Sequence, residues 1–199
     1  MKKIILIIFV FVLVFIIYYL NLDKRVYVLS IGDYIIKNNN YADNLGKKLE
    51  NNVIYSNDGD YRIIDLINDI KDNKEFSYNR REYTLDNTLI KADIIFISIG
   101  MNDLKYNKNN NNYDYIDEVI KDLAELLKLI RKYSKEKIYI FNYYNLGNMT
   151  NYVNRRLDNI SNKYKINVID ISDIKSIELN NNDYNNINNR IKNFTNLKK

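Results

Sequence analysis

From residue 26 onward the chain alternates five short runs rich in Val, Ile, Phe and Tyr with longer stretches of helical periodicity. No other feature narrows the fold so far. The short runs, residues 26–31, 52–56, 93–99, 137–142 and 167–171, have the length and composition of buried strands. Helical periodicity predicts helices over 41–50, 61–70, 113–133, 149–164 and 184–194. In the longest, Ile116, Val119, Ile120, Leu123, Leu126, Leu127 and Ile130 form one apolar stripe, while Asp117, Glu118, Lys121, Asp122, Glu125 and Lys128 take the other face. Such alternation predicts an α/β domain: a three-layer α/β/α sandwich around a five-stranded parallel sheet.

The first residues follow a different rule. Between Ile4 and Leu20 no charged side chain occurs, Lys2 and Lys3 precede the run, and Tyr18 and Tyr19 stand near its end. A run of this length is about long enough to span a hydrocarbon core, and tyrosines belong at its interface. A cleaved signal peptide is the rival reading, but the run is long for one and no small-x-small cleavage site follows. The expectation is a single-pass signal anchor over 1–22, a domain over 23–199, and a membrane location with the domain on the extracellular side.

Composition excludes much chemistry. The chain of 199 residues contains no His and no Cys, so it lacks the side chain that titrates near neutrality, any thiolate nucleophile and any cysteine-based zinc site. A net charge of +5, from 30 basic and 25 acidic residues spread along the chain, does not mark a nucleic-acid binder. No cofactor or nucleic-acid partner is expected, and the oligomeric state is open.

In parallel sheets, ligands bind beyond the carboxyl ends of the strands. Those positions read Gly32-Asp33-Tyr34, Asn57-Asp58-Gly59-Asp60, Gly100-Met101-Asn102-Asp103, Tyr143-Tyr144-Asn145 and Ser172-Asp173. Three of the five glycines lie there. Asp33, Asp58, Asp60, Asp103 and Asp183 would suit a hard cation, but acids at strand ends and helix starts are ordinary turn and cap residues, so no metal site is expected. Ser30, inside the first strand, reads as a packed small residue rather than a nucleophile.

With these blocks in view, the chain resembles the SGNH, or GDSL-type, hydrolases. "LSIGDYI" looks like the family's first block, whose serine is the nucleophile; "SIGMNDL" looks like the third, whose asparagine serves the oxyanion hole. Residues 56–70 are similar to the second block, and "LNNNDYNNINNRI" occupies the place of the fifth, Asp-x-x-His. The resemblance implies oxyanion donors at Gly59 and Asn102, flanked by Asp33, Gly100 and Asp103, and an orienting carboxylate at Asp183. It also implies that Tyr34 stands in the nucleophile position and Asn186, or Asn185 with contracted spacing, in that of the histidine. An asparagine neither accepts nor delivers a catalytic proton, and a phenol needs activation that no imidazole supplies here. The expected function is an ester or acyl hydrolase by ancestry that now binds or scaffolds, with an ester, lipid or glycan as ligand. The alternative is an active esterase with a nonstandard site.

Overall fold

The computed structural model describes residues 11–12, 27–33, 51–56, 60–106, 114–176 and 179–195. Five strands, β1 (Tyr27–Gly32), β2 (Asn51–Ser56), β5 (Ile94–Ser98), β6 (Lys137–Phe141) and β7 (Asn167–Ile169), form one parallel sheet in the order β2-β1-β5-β6-β7. All four pairings are parallel, with Val28 opposite Ile94 and Ile94 opposite Lys137. The central strands β1 and β5 read as unbroken apolar runs because both faces are covered: Val28, Leu29, Ser30 and Ile31 are all fully buried, as are Ile95, Phe96 and Ile97, whereas β2 at the edge alternates buried Val53 and Tyr55 with half-buried Ile54. Ser30 is thus enclosed in the sheet.

The helices are α1 (Ile63–Lys71), α2 (Leu85–Lys91), α3 (Met101–Tyr106), α4 (Asp114–Tyr133), α5 (Met149–Lys163) and α6 (Asn181–Thr195). The stripe predicted on α4 is its buried face, with Ile116, Leu123, Leu126, Leu127 and Ile130 fully enclosed. Helices α1, α2 and α5 pack beside α4, and α6 packs on β7. The helix expected over 41–50 lies outside the described residues, as do Tyr34, Asp58, Gly59 and all of the apolar run except Phe11 and Val12. Among the described residues no helix is long and apolar enough to cross a membrane.

Helices α2 and α3 depart from the expectation, and so does a hairpin. Between α1 and α2 the chain forms an antiparallel hairpin, β3 (Glu75–Tyr78) and β4 (Arg81–Thr84), with Phe76 opposite Tyr83. Its two-residue turn is Asn79-Arg80, with φ of 50° and 63°. Two consecutive positive φ values suit the tight hairpin turns that match strand twist. The usual signal is Asn-Gly; an arginine at the second position hides the turn from sequence patterns. Packing compensates, since Phe76 stacks on Tyr83 at 5.5 Å and meets Tyr55 of β2 edge-on at 4.8 Å.

Candidate functional site

After β1 the sheet winds outward to β2 and then returns to β5 on the other side of β1. In sheets of this kind such a reversal marks the place where a crevice forms, here at the carboxyl ends of β1 and β5. Gly32 and Asp33 end one wall; Gly100, Met101 and Asn102 begin the other. The two walls are joined tightly. The Asp33 amide donates to the Ser98 carbonyl at 2.7 Å, and the Ser98 hydroxyl donates to Asp33 Oδ1 at 2.7 Å. Asp33 is buried.

Beyond Gly100 the chain turns into α3. Gly100 has φ of 98°, and a Cβ there would lie 2.5 Å from the Tyr143 hydroxyl and 3.2 Å from Ile63 Cδ1. Tyr143, just past β6, is buried, and its hydroxyl donates to the Ile99 carbonyl at 3.1 Å. Burial, and then the nearby Asp103 and Asp33 carboxylates, push this phenol far above its ordinary value, so it stays protonated and cannot act as a base. Its backbone is clamped by Asn154 on α5, whose Oδ1 accepts from the Tyr143 amide at 2.9 Å and whose Nδ2 donates to the Tyr143 carbonyl at 2.8 Å. Asn154→Ala leaves two buried backbone groups without these partners, and we expect a loss of about 2–4 kcal/mol in urea unfolding. Sequence reasoning missed Asn154. A signal was present: it is a polar residue on a helix face whose other members, Thr150, Val153, Leu157 and Ser161, are buried.

Asn102 and Asp103 lie in the first turn of α3 and both reach toward the start of α1. Asn102 Nδ2 donates to the Tyr61 carbonyl at 3.0 Å. Asp103 Oδ2 accepts from the Ile63 amide at 3.2 Å, so this carboxylate caps a helix forty residues earlier in the chain. Burial raises the Asp103 carboxyl above the usual range, against the lowering effect of that amide.

Tyr61 is itself fixed. Its hydroxyl and that of Tyr55 donate to Asp69 Oδ2 at 2.7 and 2.6 Å, while Lys74 Nζ sits 2.9 Å from Oδ1. Burial alone would raise the Asp69 carboxyl, but the donors from Tyr55, Tyr61 and Lys74 outweigh it and hold it low. Tyr55 is pushed up to about 12, first by burial and then by its bond to Asp69. A carboxylate with a depressed folded value stabilises the fold above its unfolded value, near 4, and loses that contribution as pH falls through the folded value. Asp103, raised, acts in the opposite sense. In Asp69→Asn the charge is gone, so its urea midpoint is expected to fall less than the parent's between pH 5 and pH 3.

Asp183 and Asn186 stand on α6. Asp183 Oδ2 accepts from the Asn180 amide at 3.0 Å, and Asn180 Oδ1 accepts from the amides of Asn182 and Asp183 at 2.9 and 3.2 Å. That is a reciprocal cap on the helix start. Asn185 and Asn186 are exposed. Arg190 ties α6 to the end of β7, donating to the Asp170 carbonyl and pairing with Asp173 Oδ2 at 2.6 Å. The structure therefore brings Asp33, Gly100 and Asp103 together around Tyr143, with Asn102 next to them in the first turn of α3. Among the described residues no hydrogen bond or ion pair joins Asp183 or Asn186 to that cluster, and no group of three or more acidic side chains is placed to hold a metal ion.

Solved structures share this architecture. A GDSL-like lipase candidate from Parabacteroides merdae superposes with a TM-score of 0.66 at 14% identity, over 89% of this chain and 99% of that one. A family 3 carbohydrate esterase from Clostridium thermocellum gives 0.61 at 16% identity, over 87% and 98%. The chain has the SGNH/GDSL hydrolase-type fold. A lipase from a goat rumen metagenome has this fold too, with a TM-score of 0.58 at 13% identity, over 84% of this chain and 96% of that one. No protein-family model and no curated protein sequence matches the chain. Within the SGNH-type fold, the crevice between β1 and β5 is the natural place for a ligand.

Proposed function

We infer that this is a membrane-anchored SGNH-type domain at the extracellular side that binds an ester, lipid or glycan ligand without turning it over. One observation carries the reading: the chain contains no His, and an asparagine, exposed on α6, stands where the base would be needed. The Asn102 amide group and the glycine-lined crevice support a retained binding surface. The lipases and carbohydrate esterases that share the fold support an ester or an acylated glycan as the ligand class. Anchoring is supported by the apolar run 4–20, of which the two described residues, Phe11 and Val12, are helical and 71% and 49% exposed. They are not packed into the domain core.

The test is hydrolysis of p-nitrophenyl acetate and butyrate by the full chain in detergent, beside Asn102→Ala. Loss of both nucleophile and base costs on the order of 10⁶ in turnover in comparable systems. The expected result is no rate above the blank for either protein. Turnover abolished by Asn102→Ala would overturn the reading and establish an active esterase, and sensitivity of that turnover to a chelator would assign it to a metal site.

A further inference from the structure

The strands are parallel and β1 is the first of them, so the whole sheet points in one direction from the chain's entry. β1 starts at Tyr27, and its first residues are locked to β5: the Tyr27 amide donates to Asp93 Oδ2 and the Asp93 amide to the Tyr27 carbonyl, both at 2.8 Å. In register, Val28 faces Ile94 and Ile94 faces Lys137, which places Lys137 two strands, about 10 Å, from the entry point. Around Lys137 lies a cleft of about 430 Å³ lined by Arg131, Lys135, Glu136, Lys137, Lys165 and Asn167.

That cleft is rigid and basic. Arg131 donates to four carbonyls, those of Tyr164, Ser134, Glu136 and Lys165, and so stitches the end of α4 to the end of α5. Its charge is consumed in holding the loops. Lys135, Lys137 and Lys165 are exposed, lie outside every helix, and make no ion pair with a described residue. Lys132 and Lys163 flank them but end helices, where a cation offsets the helix dipole in any protein. The opposite half of this end, beside the hairpin, is mixed, with Glu75, Glu82 and Lys91 around a second cleft.

We propose that the basic half of this end, centred on Lys135, Lys137 and Lys165, docks on the anionic phospholipid headgroups of the membrane that anchors the chain. The inference rests on the anchored reading above. Six residues, 21–26, separate the apolar run from β1 and span at most about 20 Å. The lysines are therefore tethered within reach of the headgroups, and where that leaflet carries anionic lipid each basic residue is attracted over roughly a Debye length. Docking this end holds the crevice of Asn102 a further strand length away, about 20 Å, facing out from the bilayer. Its ligand is then a glycan or soluble ester rather than a lipid of the same membrane.

Since the chain has no cysteine, single labels can be placed at Asn162→Cys, exposed beside the cleft, and at Asn185→Cys, exposed near the start of α6 at the other end of the sheet. The full chain is incorporated into nanodiscs of phosphatidylcholine, with or without phosphatidylglycerol, carrying an acceptor dye on the headgroups. Energy transfer is expected to be strong from 162 and weak from 185 in anionic discs. Replacing the three lysines by glutamine is expected to weaken docking on the order of a hundredfold, removing the difference, as does pure phosphatidylcholine. Incorporation with transfer that ignores lipid charge and the lysines overturns the docking alone. Failure to enter discs of either composition overturns the anchored reading and the docking with it. Circular dichroism of the triple variant confirms that the fold is kept.

Discussion

Gly32→Ala is expected to destabilise the domain by about 3–5 kcal/mol, the sum of a strained backbone and an overpacked contact. The position has φ of 132°, a region that side chains rarely enter, and a Cβ there would sit 1.8 Å from the Ser98 carbonyl oxygen. That oxygen cannot yield, because it accepts the Asp33 amide at 2.7 Å and belongs to β5 at the sheet's centre. The strands must separate or the turn must be rebuilt, and either change breaks the crevice. Equilibrium urea unfolding followed by circular dichroism measures the loss. A loss below about 1 kcal/mol would mean that the turn relaxes freely and that the close approach of β1 and β5 is not obligatory. Gly147→Ala is the matched control, since it also has positive φ, of 62°, but nothing lies within 4 Å of its Cβ.

The double substitution Tyr34→Ser with Asn186→His is expected to create ester hydrolysis where the parent shows none. Asp183 and position 186 are three residues apart on α6, so a histidine there lies on the same helix face as the carboxylate, within the spacing at which helix neighbours interact. Asp183 uses one oxygen to hold the Asn180 amide at 3.0 Å. Its other oxygen suits the role of orienting an imidazole. A positioned general base is worth roughly 10² to 10⁴ in rate, so p-nitrophenyl acetate turnover should rise at least about a hundredfold over either single substitution. Tyr34→Ser alone supplies a nucleophile with no proton acceptor, and Asn186→His alone a base with nothing to activate. A double variant no faster than the singles would show that α6 does not bring position 186 to the end of β1. A gain lost again in Asn102→Ala would show that the crevice still stabilises an oxyanion.

How far the sequence could be read depended on the range of the interaction concerned. The strands β1, β2, β5 and β6 lie within a residue of their predicted bounds because β1, β5 and β6 are apolar runs buried on both faces and β2 alternates buried with half-buried residues, patterns carried by neighbouring residues. β7 ends two residues early, at Ile169, because the Ile171 amide leaves the ladder to donate to Asn142 Oδ1 at 2.7 Å. α6 begins three residues before its predicted start because Asn180 and Asp183 form a cap that apolar periodicity does not register. The hairpin of β3 and β4 escaped because its positive-φ turn is built from Asn79 and Arg80.

For the site, the strand-end blocks led directly to Gly32, Asp33, Gly100, Asn102 and Asp103, and the structure gathers them. What those side chains hold was not legible: Asp33 grips Ser98 across 65 positions, Asp103 caps α1 across 40, and Asn102 spans 41 to the Tyr61 carbonyl. The sequence by itself determined that the chain builds a parallel α/β sheet and that it carries no imidazole or thiol, since periodicity and residue inventory are properties of the chain alone. Only the tertiary structure decided that the carboxylates act as clasps and caps and that Tyr143 closes the floor beneath Gly100. It also set the basic end opposite the crevice. Each of these depends on strand order and register, which bring together groups that no local pattern connects.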